Sequence, residues 1–208
     1  MSAPETIFID GPVGKLEALS ATQEAPKALA IICHPHPLQQ GTMHNKVVTT
    51  IHKACYEAGM NTVRFNYRGV GASEGSFADG LGETDDAVSI LSWAHELFPE
   101  LPIYLVGFSF GAYVSYRLAV TSDFIIKQLI SIAPPVRYPE FQQLPTPTCP
   151  WLVVQGEDDD IVNPEAVYAW LTERDNPAQL IRVPDTGHFF HGKLIELKDI
   201  IMENLVTP

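Results

Sequence analysis

The segment Gly107-Phe108-Ser109-Phe110-Gly111 places a serine between two glycines, after the apolar run Ile103–Phe108 and before the helix-like stretch Phe110–Val120. Strand, sharp turn and helix form the context in which a G-x-S-x-G serine acts as a nucleophile. The turn exposes its hydroxyl at the end of a sheet, and the glycines let the backbone pass close to its neighbours. Outside that context the same letters describe a Gly-rich turn with a solvent-facing serine. A hydroxyl is a weak nucleophile near neutral pH, so it needs a base within hydrogen-bond reach and a third group to orient that base. Two later segments offer these, each just past an apolar run. Gly156-Glu157-Asp158-Asp159-Asp160-Ile161-Val162 follows Trp151–Gln155, and Pro184-Asp185-Thr186-Gly187-His188-Phe189 follows Leu180–Val183. The chemistry these residue types suit is acyl transfer. Ser109 is the nucleophile, the acid is one of the three adjacent aspartates, and the base is His188, with His191 as its rival.

A tetrahedral intermediate also needs two backbone donors aimed at its oxyanion, usually the amide after the nucleophile and one from the loop after the third strand. Phe110 N–H is the first. The loop after Ala28–Cys33 reads His34-Pro35-His36-Pro37-Leu38-Gln39. Neither proline has an N–H, so His36 supplies the donor between them, and the fixed φ of Pro35 and Pro37 holds that amide in place. His34, His36 and His44 invite a metal reading, but no carboxylate occurs between Cys33 and Tyr56 to support such a site. The expectation is no metal. Arg68-Gly69-Val70-Gly71-Ala72-Ser73-Glu74-Gly75 fails as a dinucleotide fingerprint because Glu74 stands where the third glycine of GxGxxG belongs, and no GxxxxGK[ST] loop occurs.

The elements that must position these residues alternate along the chain. Runs rich in Ile, Val, Leu and aromatics predict strands at Thr6–Ile9, Lys15–Ser20, Ala28–Cys33, Thr62–Tyr67, Ile103–Phe108, Gln128–Ile132, Trp151–Gln155 and Leu180–Val183. From Ala28 onward they are nearly continuous apolar runs, which fits strands covered on both faces of a parallel sheet. Between them, the spacing predicts helices at Asn45–Ala58, stopped by Gly59, and from about Thr84 to Leu97 before Pro99. In the second, Thr84 caps the start, Asp85 and Asp86 face the helix dipole, and Ala87, Val88, Leu91, Ala94 and Leu97 form the buried stripe. Further helices are expected at Phe110–Val120, at Pro164–Thr172 with Asn163 as its cap, and at about 193–205. Of the three aspartates, Asp160 suits a capping role best. The pattern is α/β, a mainly parallel sheet preceded by an antiparallel hairpin. In such sheets ligands bind at the carboxyl ends of the strands, where the candidate residues lie.

With 208 residues the chain is expected to form one domain over 1–208. Thirteen Lys and Arg against 25 Asp and Glu give a formal net charge of −12, opposite to the field that attracts nucleic acid or anionic lipid. Cys33, Cys55 and Cys149 are odd in number and lack a CxxC pattern, which disfavours a disulfide framework. The start MSAPETIFIDG has no basic-then-apolar leader, and no run approaches the roughly 20 apolar residues that cross a bilayer. A cytoplasmic protein with no membrane and no nucleic-acid partner is expected.

Together these segments resemble the α/β-hydrolase family over nearly the whole chain, a family whose members carry Ser, acid and His in this order. The resemblance implies Asp159 as the acid, since Gly156, Asp159 and Val162 fit its GxxDxxV spacing, and His188 as the base, since DTGHFF matches its GxGH or AxHF neighbourhood. His191 is then a cap or pocket-wall residue. The His34–Gln39 loop stands where the family has HG-x-P, and Arg68–Gly75 resembles its structural RGxGxSxG turn. HPHPLQQGTMHNKVV, NYRGVGASEG, VGFSFG and VVQGEDDD are similar to a small lidless subgroup of bacterial α/β-hydrolases related to dienelactone-hydrolase-like esterases. Gln40 replaces a glycine of that subgroup. Dienelactone hydrolases proper use a cysteine nucleophile, so their lactone substrate is not implied. Lids of this fold often follow the sixth strand, where this chain has about 17 residues, five of them proline, between Ile132 and Pro150. The resemblance thus implies a central sheet of about eight strands, helices on both faces and no large lid. It implies a carboxylesterase or thioesterase acting on a small-molecule acyl substrate, with no cofactor. The alternatives are amide or peptide hydrolysis or perhydrolysis on the same residues, or a noncatalytic binding module of the same fold.

Overall fold

The computed structural model describes residues 4–207; Met1–Ala3 of the leader-free N-terminal reading lie outside the described residues. In chain order the elements are β1 (Glu5–Gly11), β2 (Gly14–Ala21), β3 (Ala28–Cys33), a 3-10 turn (Pro37–Gln39), α1 (Lys46–Glu57), β4 (Met60–Phe65), α2 (Leu81–Leu97) and β5 (Ile103–Phe108). They continue with α3 (Phe110–Thr121), β6 (Ile126–Ile132), α4 (Pro139–Gln142), β7 (Trp151–Gly156), α5 (Pro164–Thr172), β8 (Gln179–Val183) and α6 (Leu194–Glu203). The eight strands form one sheet in the order β1-β2-β4-β3-β5-β6-β7-β8. β1 pairs antiparallel with β2, and β2 antiparallel with β4; every other pair is parallel.

The continuous apolar runs are explained by two cores, one on each face of the sheet. Alternate residues of β3 split between them, Leu29 and Ile31 to one side and Ala28, Ala30 and Ile32 to the other. β7 does the same, Trp151 and Val153 against Leu152 and Val154. The first core takes the buried faces of α2, α3 and α5, the second those of α1 and α6. A strand buried on both faces has no solvent side to mark with polar residues, so period-2 alternation disappears. Among the described residues, no helix is long and apolar enough to cross a membrane.

Four expectations need correction. α2 begins at Leu81, not at Thr84. Gly80, at φ 87°, is the N-cap, and the Glu83 carboxylate reaches back to accept Gly80 N–H at 2.7 Å and Ala78 N–H at 2.8 Å. Thr84 lies inside the helix and donates its hydroxyl to the Gly80 carbonyl at 2.7 Å. Asp86 does not face the dipole: it is fully buried and paired with Arg68 Nη2 at 2.7 Å, while accepting the Arg68 backbone N–H at 2.9 Å. In the helix stripe Ile90 is buried and Leu97 is exposed. β4 starts two residues earlier than expected and ends at Phe65, because Tyr67 N–H leaves the sheet for the His34 ring.

The Arg68–Asp86 pair ties the Gly-rich turn after β4 to α2 in a water-poor setting. Removing one partner strands the other charge, a loss of about 3–5 kcal/mol. Asp86→Ala should lower the urea midpoint accordingly, and a loss well under 1 kcal/mol would show that Arg68 reaches water once freed.

Candidate active site

β5 delivers Ser109 to the sheet's carboxyl edge at φ 54° and ψ −122°, a conformation that L-residues avoid. The surroundings enforce it. Ser109 N–H donates to the Ile132 carbonyl of β6 at 2.8 Å, and Ala112 N–H donates to the Ser109 carbonyl at 2.8 Å. Gly107 and Gly111 are glycines because the elbow is crowded. A Cβ at Gly107 would overlap the Gly111 carbonyl, and one at Gly111 would overlap the carbonyls of Cys33 and His34. The start of α3 is thereby packed directly against the start of the loop that carries His36.

Ser109, His188 and Asp159 come together from the ends of β5, β8 and β7. His188 Nε2 lies 3.0 Å from Ser109 Oγ, and His188 Nδ1 lies 2.8 Å from Asp159 Oδ2. All three are buried. The Asp159 carboxylate is held on both oxygens: Oδ1 accepts Ile161 N–H at 2.9 Å and Val162 N–H at 2.7 Å, and Oδ2 also accepts Gln155 Nε2–H at 3.1 Å. Burial pushes its pKa up, but the His188 hydrogen bond and the two amides outweigh that and hold it below the ordinary carboxylate value. An ionised Asp159 accepts the Nδ1 proton of neutral His188, which leaves Nε2 free to accept the Ser109 hydroxyl proton.

The neighbours sort themselves by contact. Asp158 and Asp160 are exposed, and the cap of α5 is Asn163, which accepts Ala166 N–H at 3.3 Å. His191 is not a cap, because α6 follows Lys193; it is exposed and stacks on Phe189 at 5.9 Å. Gln155 was missed in the sequence, where a buried polar residue ending an apolar strand is its only signal.

The His36 loop is clamped from below. His34 Nδ1–H donates to the Pro35 carbonyl at 2.7 Å and Nε2 accepts Tyr67 N–H at 3.2 Å. The His36 carbonyl accepts both Gln39 and Gly41 N–H at 3.0 Å, and Met43 is gripped through its N–H by Asn66 and through its carbonyl by Arg64. Phe110 opens α3, so its amide has no carbonyl one turn back. Both ring nitrogens of His34 are committed to protein partners, His36 Nδ1 accepts Leu38 N–H at 3.2 Å, and His44 is exposed. Among the described residues no group of three His, Cys, Asp or Glu could hold a metal ion.

Burial pushes the His34 pKa down to about 3 against the opposing pull of the Pro35 carbonyl. His52, under α1 and hydrogen-bonded to Thr62 at 2.8 Å, is lowered to about 4 by burial and then by Arg64 and Lys53. Both rings take up a proton in the unfolded chain below about pH 6.5 and resist it in the fold. Stability is therefore whole above that pH and falls as pH drops toward 4. The loss is about 1.4 kcal/mol per pH unit from His34, and less from His52, which lies nearer to solvent. Urea unfolding at pH 7, 6 and 5 checks this, and an unchanged midpoint would contradict it.

The chain matches the family described as serine aminopeptidase, S33, over residues 24–147. It is 34% identical to the uncharacterized protein RP471 of Rickettsia prowazekii over 212 residues, covering 97% of this chain and 88% of that one. An α/β serine hydrolase homologue from Coxiella burnetii superposes with a TM-score of 0.94 at 44% identity over 99% of both chains. XC6422 of Xanthomonas campestris, described as an α/β serine hydrolase without lid, does so at 0.91 and 43% identity, over 98% of this chain and 94% of that one. The chain belongs to the lidless α/β serine hydrolases. In keeping with that class, the only helix between β6 and β7 among the described residues is the four-residue α4.

Proposed function

We propose that this hydrolase cleaves small or accessible carboxylic esters or thioesters through an acyl-Ser109 intermediate. The hydrogen-bonded chain from Ser109 through His188 to Asp159 carries this reading. His188 Nε2 takes the Ser109 proton as Oγ attacks the carbonyl carbon, and Asp159 steadies the imidazolium that forms. The oxyanion falls between the Phe110 and His36 amides, whose placement rests on the packed Gly111 contact and the His34 clamp. Collapse of the intermediate breaks the ester bond, and His188 returns the proton to the departing alcohol or thiol. Water then repeats the sequence on the acyl-enzyme and frees the acid and Ser109. Protein and water balance both half-reactions. Leu38, two residues after His36, and Phe189, next to His188, are 70% and 41% exposed and leave the approach uncovered, which supports accessible substrates. A fluorophosphonate probe read by intact mass, beside a panel of p-nitrophenyl acyl esters, tests the reading. Stoichiometric labelling with ester turnover is expected, whereas an inert serine favours a binding module.

The description of the family supports a second reading, cleavage of an amide at a peptide amino terminus, on the same residues. Aminoacyl p-nitroanilides in the same panel separate the two.

A further inference from the structure

Arg137 is an exposed cation that the acyl-transfer chemistry does not use. It stands five residues past the end of β6, at the same sheet edge as Ser109, whose own N–H is bonded to β6. Its Nη1 donates to the Ile161 carbonyl at 3.1 Å, in the loop after β7 that holds Asp159. Its charge is also felt at the His36 ring, in the loop after β3. That ring's pKa is lowered first by burial and further by Arg137, against opposing pulls from Glu83 and Asp79. In the sheet, β5 and β6 lie between β3 and β7. Arg137, anchored past the end of β6 and bonded to the β7 loop that carries Asp159, therefore stands at the sheet edge where Ser109 lies.

The guanidinium there is uncommitted. One of its five N–H donors is used on a neutral carbonyl, and its planar face rests near the Tyr138 ring at 5.5 Å. The ion pairs among the described residues are Lys15–Asp10, Arg68–Asp86, Lys193–Glu196, Lys198–Glu57 and the His188–Asp159 contact, so Arg137 has no carboxylate partner. The two anions that pull on the His36 ring differ in availability. Glu83 is fully buried with each oxygen taken by a backbone N–H, and Asp79 is exposed at the start of the α2 segment. A protein of net charge −12 repels anions at large, so an unpaired fork at the nucleophile's sheet edge is a local reversal of sign. Guanidinium forks match carboxylates in charge and geometry.

We propose that Arg137 binds a carboxylate on the acyl portion of the substrate, so that the preferred substrates are half-esters or half-thioesters of dicarboxylic acids. This rests on the acyl-Ser109 reading and names its substrate class. Two p-nitrophenyl esters of one chain length test it, one ending in a free carboxylate and one in the methyl ester of that carboxylate. Wild-type kcat/KM should favour the charged ester, with the preference shrinking as salt rises. Arg137→Gln should reduce the charged-to-neutral ratio about 10-fold, the size of one charge-assisted contact at an accessible site, and Arg137→Lys should restore part of it. A role confined to stapling the β6 loop onto Ile161 would lower both rates together and leave the ratio in place, overturning the proposal. Turnover of both esters by the wild type without a charge preference also overturns it, while leaving the acyl-Ser109 reading intact. Failure to turn over either ester, with no fluorophosphonate label on Ser109, overturns that reading and this proposal with it.

Discussion

Ser109→Ala should abolish both covalent labelling and ester turnover in a protein that remains folded. Among the described residues no other hydroxyl combines the strained elbow with an imidazole nitrogen 3.0 Å away. Removing the serine of a triad elsewhere costs on the order of 10⁶-fold in kcat, leaving only what the oxyanion donors and binding supply. Folding should tolerate the change, because the elbow is held by the Ile132 carbonyl and the glycine crossings, not by Oγ. A companion variant reads the strain itself. Ser109→Gly, also inactive, removes the Cβ from a φ of 54° and should be more stable than Ser109→Ala by about 1–3 kcal/mol. A folded Ser109→Ala that keeps most of its turnover, or that still takes up the probe stoichiometrically, would show the nucleophile to be elsewhere.

What made the fold and this constellation legible was that each chemical residue sits immediately past a strand, and that strands covered on both faces announce themselves as unbroken apolar runs. Ser109, the Asp158–Asp160 run and His188 could be lined up because they lie within about five residues of the ends of β5, β7 and β8, so position along the chain nearly fixes position in space, while the choice of Asp159 within its run came from the family's GxxDxxV spacing. What stayed hidden depends on contacts between distant segments. Asp86 looked like a dipole residue because nothing local shows that Arg68, 18 positions earlier, will bury a guanidinium against it. α2 starts earlier than its side chains suggest because its cap is a glycine at positive φ, and the acceptor comes from Glu83 inside the helix. The early end of β4 arises from the His34 ring, 33 positions away, claiming Tyr67 N–H, and its early start from the pairing of Met60 and Asn61 with Ala28 and Leu29 of β3. Gln155 and Arg137 belong to the same class. Their residue types are unremarkable in sequence, and only the folded chain shows which carboxylate or carbonyl they reach.

Asp159→Asn should cost on the order of 10⁴-fold in kcat, the size of the tautomer effect in a protease triad. The surroundings of Asp159 dictate how. Ile161 and Val162 point two N–H donors at Oδ1, so an asparagine must leave its carbonyl oxygen there and turn its NH₂ toward His188. That NH₂ faces Nδ1, which in the wild type carries a proton of its own. The clash is relieved when the imidazole moves its proton to Nε2, and Nε2 then faces the Ser109 hydroxyl as a donor, unable to take its proton. The fold survives because the two amides keep their acceptor, so the unfolding midpoint should move far less than kcat. KM should change little, since the carboxylate lies behind His188 and does not meet the substrate. Asp158→Asn and Asp160→Asn alter exposed side chains and should leave kcat within about 3-fold, the scale of a screened surface charge. Kinetics of the three variants on one p-nitrophenyl ester decide the matter: a competent Asp159→Asn beside a crippled neighbour would move the acid by one position and dissolve the role assigned to the Ile161 and Val162 amides.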